Sequence, residues 1–148
     1  MKFEPTFTML DVDREIDRIV EKSEEFILKK LFTIGEKCVN YARSNHAYLD
    51  DTGNLTSSIG YAVYRDGKRI GVSAFESILG AKEGKAAGLD ALDRIAEGIG
   101  KEWALVVVAG MKYAVYVEAK GYDVLSSSKL VCEMEAKRLM SELKTINI

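Results

Sequence analysis

The sequence predicts an α+β domain in which a long N-terminal helix and a C-terminal helix pack on an antiparallel sheet of two hairpins. Three observations carry that prediction. Apolar residues recur at helical spacing from Leu10 to Tyr41 and again after Ser126, the dipeptide Asp66-Gly67 joins two β-prone segments, and a second β-branched run, Trp103 to Ala109, precedes an alternating stretch from Tyr113 to Glu118. The composition, 47% apolar and 30% charged with one proline among 148 residues, is that of a single globular domain over residues 1–148.

In the first helix Val12, Ile16, Ile19, Ile27, Leu31, Ile34, Cys38 and Tyr41 share one face, and charged residues fill the others. Thr8 and Asp11 have the spacing of a capping box, with Glu15 and Asp17 adding negative charge near the positive end of the helix dipole. Such a helix spans roughly 50 Å, longer than a compact domain of this size is wide unless Gly35 marks a bend, so part of it is expected to need a partner. Asp50-Asp51-Thr52-Gly53-Asn54 then turns the chain. A two-residue type I′ turn at Asp66-Gly67 places Val63 opposite Ile70, Tyr61 opposite Val72 and Ile59 opposite Ala74, giving one apolar face. The other face, with Tyr64 opposite Arg69 and Gly60 opposite Ser73, is thinner and open to solvent.

Five of the 12 glycines fall between Gly80 and Gly100. Residues 76–102 therefore read as a mobile excursion carrying a short helix from Ala86 to Glu97, with Leu89, Leu92 and Ile99 as an apolar stripe available to a partner. Trp103–Ala109 and Tyr113–Glu118, joined by Gly110-Met111-Lys112, form the second hairpin of a four-stranded sheet. Asp123 or one of Ser126 to Ser128 caps the last helix, whose Cys132, Ala136, Leu139, Met140 and Leu143 share a face.

The chemistry that the residues offer is sparse. A formal charge of -2 with interspersed signs lacks the basic footprint of a duplex-binding protein, so no nucleic-acid partner is expected. The longest apolar stretch, Ala104 to Gly110, is too short to cross a membrane, and Met1-Lys2-Phe3-Glu4-Pro5 has no apolar signal core, which predicts a protein that stays in the cytoplasm where it is made. Cys38 and Cys132 belong to no Cys-x-x-Cys pair and read as buried thiols, with no metal site or other cofactor expected. His46, the only histidine, with Asp50 and Asp51 just beyond it, defines the runner-up reading, a small hydrolase or ligand-binding domain, ahead of a nucleic-acid module as the third. His46 lacks an oriented third group and a recognised ligand spacing. Gly80-Ala81-Lys82-Glu83-Gly84-Lys85-Ala86 is one residue short of a phosphate loop and ends in Ala where Ser or Thr binds magnesium. Tyr61, Tyr64, Tyr113, Tyr116 and Tyr122 read as core or interface, not as a stacking platform for bases. No catalytic residue is assigned.

Two segments together carry a more specific signal. Asp51-Thr52-Gly53-Asn54-Leu55-Thr56-Ser57-Ser58-Ile59, after a long helix and before a hairpin, resembles the Asp-Thr-Gly-Asn-Leu-x-x-Ser-Ile signature of the HK97 gp10-like phage proteins. Tyr113-Ala114-Val115-Tyr116-Val117-Glu118 resembles the later Tyr-Ala-x-Tyr-Val-Glu strand of that family. The chain departs from it in Ala119-Lys120-Gly121-Tyr122, where members commonly have Phe-Gly-Thr, and in Leu49-Asp50, where they often have Pro-Val. The resemblance implies a minor virion protein of a tailed phage or prophage, a tail-completion or head–tail joining component assembled in the bacterial cytoplasm. It also implies a homo-oligomeric ring between connector and tail-tube proteins, with Asp51, Thr52, Gly53, Asn54, Leu55, Ser58 and Ile59 and the Tyr113–Glu118 residues as its structural motif.

Overall fold

A computed structural model describes residue 4 and residues 6–145. Most of the Met1–Pro5 segment, read above for a signal core, lies outside the described residues. The fold is α+β, with a long N-terminal helix and a C-terminal helix packed on an antiparallel sheet. Helix α1 runs over Met9–Ser44 and starts at a complete capping box: Thr8 Oγ1 accepts the Asp11 amide at 3.2 Å while the Asp11 carboxylate accepts the Thr8 amide at 2.8 Å. It is one uninterrupted helix, and Gly35 is no bend. A Cβ there would stand 2.5 Å from the Tyr61 ring, so the glycine lets the sheet lie against the helix backbone.

After the short helix α2 (Asn54–Ser57), strands β1 (Ile59–Arg65), β2 (Lys68–Val72) and β3 (Ala104–Ala109) form an antiparallel sheet in the order β2-β1-β3. Central β1 is buried on both faces. Ile59, Tyr61 and Val63 meet Val39 and Ala42 of α1, and Ala62 and Tyr64 meet Leu92 of helix α3 (Lys82–Ala96). The face expected to be thin and open is thus a second core layer. The Asp66-Gly67 turn has positive φ at both residues, as a type I′ turn requires, and Tyr64 pairs with Arg69 as expected. Beyond that pair the register slips by one: Val63 stands opposite Gly71, not Ile70, and Ala62 opposite Val72. The cause lies in α1, because the Phe32 ring packs so closely on Gly71 that a Cβ would meet it at 2.1 Å. The residue opposite Val63 must lack a side chain, and a bulge supplies the shift.

Two larger expectations are corrected. Among the described residues there is no second hairpin, because Ala114–Glu118 lies in helix α4 (Ala114–Ala119), which Tyr113 precedes, and the sheet has three strands, not four. A six-residue run that alternates apolar and small residues also puts Ala114 and Val117 on one helical face, and the turn after β3 decides between the two. The stripe of Leu89, Leu92 and Ile99 is not free for a partner either. Leu92 is fully buried, and Leu89 and Ile99 pack on the same cluster against β1 and β3. The helix is also longer than expected, starting at Lys82.

Helix α5 (Ser126–Thr145) runs antiparallel to α1, with ion pairs Lys37–Glu135 at 3.2 Å and Lys30–Glu142 at 2.9 Å. Cys38 and Cys132, expected as separate thiols, are joined by a disulfide between these helices, their Cα atoms 5.8 Å apart. At a sequence separation of 94, only the packing of α5 on α1 brings them together.

Candidate assembly junction

The Asp51–Ile59 segment is where four elements meet. Gly53 adopts φ +75°, the left-handed region, and the Ile78 carbonyl oxygen would lie 2.2 Å from a Cβ built on it. Glycine is therefore required there for backbone conformation and for space alike. Thr52 Oγ1 accepts the Asn54 amide at 3.3 Å, and Asp50, just before the motif, accepts the Thr56 amide at 2.8 Å. Asp51 is exposed.

Asn54 reaches across the fold. Its Oδ1 accepts the Gly84 amide at 3.0 Å, one of the first-turn N–H groups of α3, whose own preceding residue Ala81 offers no side-chain cap. This contact is close because Gly84 has no side chain: a Cβ there would stand 2.1 Å from the Asn54 carbonyl oxygen. Gly88, one turn on, leaves the same room beside Phe75 and the Ser58 carbonyl. Glycines that read as flexibility in the sequence are the flat face on which α3 lies against the motif.

Ser57 and Ser58 are fully buried, and both hydroxyls are hydrogen-bonded. Ser57 Oγ accepts the Ile78 amide at 2.7 Å; Ser58 Oγ donates to the Leu55 carbonyl at 2.7 Å and accepts the Met111 amide at 3.3 Å. The Ser58 carbonyl accepts the Gly110 amide at 3.1 Å, so the chain leaving β3 is tied to the motif by two consecutive amides. Past that tie the chain leaves the sheet edge and enters α4, with the Ala114 amide donating to the Met111 carbonyl at 3.0 Å. Leu55 and Ile59 share a core cluster with Ala114, and partial desolvation of Tyr113, which is still 39% exposed, pushes its phenol above its ordinary pKa, the Asp50 charge adding to the effect. The two segments of the resemblance therefore form one junction.

Within the second segment the roles separate. Ala114 is buried, Val117 is half-buried, and Glu118 caps α5: its carboxylate accepts the Leu125 amide at 3.2 Å and the Ser126 amide at 3.0 Å, and also bonds the Ser126 hydroxyl and the Val124 amide. Asp123 Oδ1 adds a cap on the Ser127 amide at 3.0 Å, as the sequence led us to expect of Asp123. Tyr116 and Val115 point out, 73% and 75% exposed, with Tyr113 and Tyr122 beside them in the chain also exposed. An apolar cleft of about 710 Å³ opens next to them, between the outer edge of β3, α4 and α5, lined by Leu105, Val107, Val115, Ala119 and Leu125.

The alternative centre is differently arranged. His46 stacks on Tyr48 with ring centroids 3.9 Å apart, and its Nδ1 lies 3.0 Å from the Tyr48 carbonyl. Asp50 is engaged by the Thr56 amide, and neither it nor Asp51 bonds His46 among the described residues. Arg43, which lines the same cleft of about 500 Å³, donates to the Ile59 carbonyl at 2.7 Å. Arg43 and Asp50 here hold backbone. In the loop read against a phosphate site, the Gly84 amide is already taken by Asn54.

Sequence reasoning missed Gly84 and Gly88 as contact surfaces and Glu118 as the α5 cap. Spacing within one segment signals none of these, since each partner lies in another element or beyond a turn. Comparison of the chain with models of protein families, with curated proteins and with solved structures returned no match. Among the described residues, no helix is long and apolar enough to cross a membrane.

Proposed function

We propose that this protein is a structural component of a phage or prophage neck, of the tail-completion or head–tail joining kind, that works by assembling as a homo-oligomeric ring between connector and tail-tube proteins. One observation carries the reading. The two segments that resemble the HK97 gp10-like family, more than fifty residues apart, meet through Ser58, Met111 and Ala114 in a single buried junction. A chance likeness of two short motifs gives no reason for them to meet. The surface supports the same reading, because α4 projects Val115 and Tyr116 beside an apolar cleft at an unpaired sheet edge, an arrangement suited to contact with a neighbouring subunit.

In this reading the virion is the destination, the work is mechanical, and no cofactor or nucleic acid takes part. Native mass spectrometry and negative-stain microscopy of the full chain at high concentration test it. Rings of a fixed copy number are expected, lost in Val115→Asp and Tyr116→Asp at an unchanged melting temperature. A chain without rings, with an esterase, phosphatase or peptidase activity that disappears in His46→Ala, would overturn the proposal in favour of the enzyme.

A further inference from the structure

The N-terminal half of α1 touches the fold just described only near its end, where Glu24 pairs with Arg65 of β1 at 3.5 Å among the described residues. The first α1 residue packed on any core cluster is Phe26, and the last ion pair to α5 is Lys30–Glu142, three residues before α5 ends in the described chain. Before Phe26 the helix continues for some 26 Å with an apolar face in solvent. Met9, Ile16 and Val20 are 72%, 52% and 51% exposed, and Val12 and Ile19 are half-covered.

The spacing on this face is specific. Met9, Val12, Ile16, Ile19, Ser23 and Phe26 follow one another at steps of three and four in strict alternation, the seam of a two-stranded coiled coil and narrower than the face of a helix lying on a sheet. Lys30 and Thr33 would come next, so the seam ends where the body of the domain begins.

We infer that residues 9–26 of α1 pair antiparallel with the same segment of a second copy of this chain. In that arrangement Met9 faces the partner's Phe26, Val12 the partner's Ser23, and Ile16 the partner's Ile19, each contact occurring twice about a two-fold axis. Flanking charge selects the direction. Antiparallel pairing brings Glu15 against the partner's Lys22, again twice, and sets Asp13 against the partner's Val20. Parallel pairing places Glu15 against the partner's Val20 and Lys22 against the partner's Ile27, which leaves both charges without a counterpart. The Glu15–Arg18 ion pair within the helix is solvent-exposed on both sides, so Glu15 is accessible to a second cation. Antiparallel overlap also puts the two domain bodies at opposite ends, each beginning where the other's helix stops. The contact closes at two copies and does not rest on the ring proposed above, which uses other surfaces.

Sedimentation of the full chain tests the pairing. A concentration-dependent dimer is expected at tens of micromolar, absent in Ile16→Asp/Ile19→Asp, whose melting temperature in dilute solution should match the parent because those residues touch no core. Glu15→Lys should weaken the dimer about fivefold at low salt, and Glu15→Lys/Lys22→Glu should restore it. Direction is read by cross-linking: Val12→Cys mixed with Ser23→Cys should give the heterotypic disulfide, located by peptide mass spectrometry. A monomer throughout this range, homotypic Val12→Cys or Ser23→Cys cross-links alone, or a dimer indifferent to Ile16→Asp/Ile19→Asp would each overturn the inference.

Discussion

The Asp51–Ile59 junction and the N-terminal half of α1 invert the usual relation between regularity and integration. The first has one turn of helix and a left-handed glycine, yet Asp50, Thr52, Asn54, Ser57 and Ser58 each hold a backbone amide in or around it. The second is ideal α-helix with a complete capping box, and most of its apolar face covers nothing. Local order comes from the backbone's own hydrogen bonds; a place in the fold comes from groups in different elements that satisfy one another. Changes in the irregular region should therefore be global in effect, and changes in the regular one local.

The largest contrast is expected from Gly53→Val. A β-branched residue is strained at φ +75°, and its Cβ cannot coexist with the Ile78 carbonyl at 2.2 Å. The change should cost roughly 3 kcal/mol or more, on the order of a 10 °C fall in melting temperature for a domain of this size. Thermal unfolding followed by circular dichroism measures it. An unchanged melting temperature would remove the junction from the set of elements on which the fold depends.

Asn54→Ala is the sharper probe, since it deletes one interaction. The Gly84 amide loses its acceptor in a part-buried site and α3 loses the one side-chain cap it has among the described residues, a loss of about 1–2 kcal/mol. Asn54→Asp keeps an acceptor at the same position and should recover most of that stability. If Asn54→Ala were silent while Asn54→Asp destabilised, the side chain would be excluding charge and not capping α3.

How much of this was legible follows the same division. The start of α1 was readable because Thr8 and Asp11 are three residues apart, and the type I′ turn because Asp66 and Gly67 are adjacent. The slip of β2 was not, because its cause is the Phe32 ring on Gly71, two residues that only the tertiary fold brings together. The same holds for α3: Gly84 and Gly88 weaken a helix taken alone and are required once Asn54 and Phe75 are set against it. Tyr113–Glu118 was misread because its apolar pattern fits either period, and the deciding contacts, Gly110 and Met111 on Ser58, lie outside it. In the candidate site the turn chemistry of Gly53 was visible in sequence. The capping of α5 by Glu118 was not.

The smallest effect belongs to the capping box and separates the two regions most cleanly. Asp11 accepts the Thr8 amide at 2.8 Å and the Thr8 hydroxyl at 2.9 Å, and these bonds, the backbone one foremost, hold its carboxyl below the ordinary value of 3.8. A carboxylate whose pKa is depressed by folding contributes stability that is fully present above its unfolded value and disappears as the pH falls through the folded one. The first turn of α1 should therefore remain capped at neutral pH and fray only below about pH 3.8. The group is on the surface at the end of a helix segment that packs on no core cluster among the described residues, so the fraying should stop at the first turns. An NMR titration of the Asp11 carboxyl should give a midpoint below 3.8, moved back toward 3.8 in Thr8→Ala, with the amide shifts of Tyr61 and Leu92 unmoved over the same step. A midpoint at or above 3.8 in the parent would deny the cap its charge-assisted bonds. Core shifts that followed the Asp11 titration would show the two regions to be one cooperative unit.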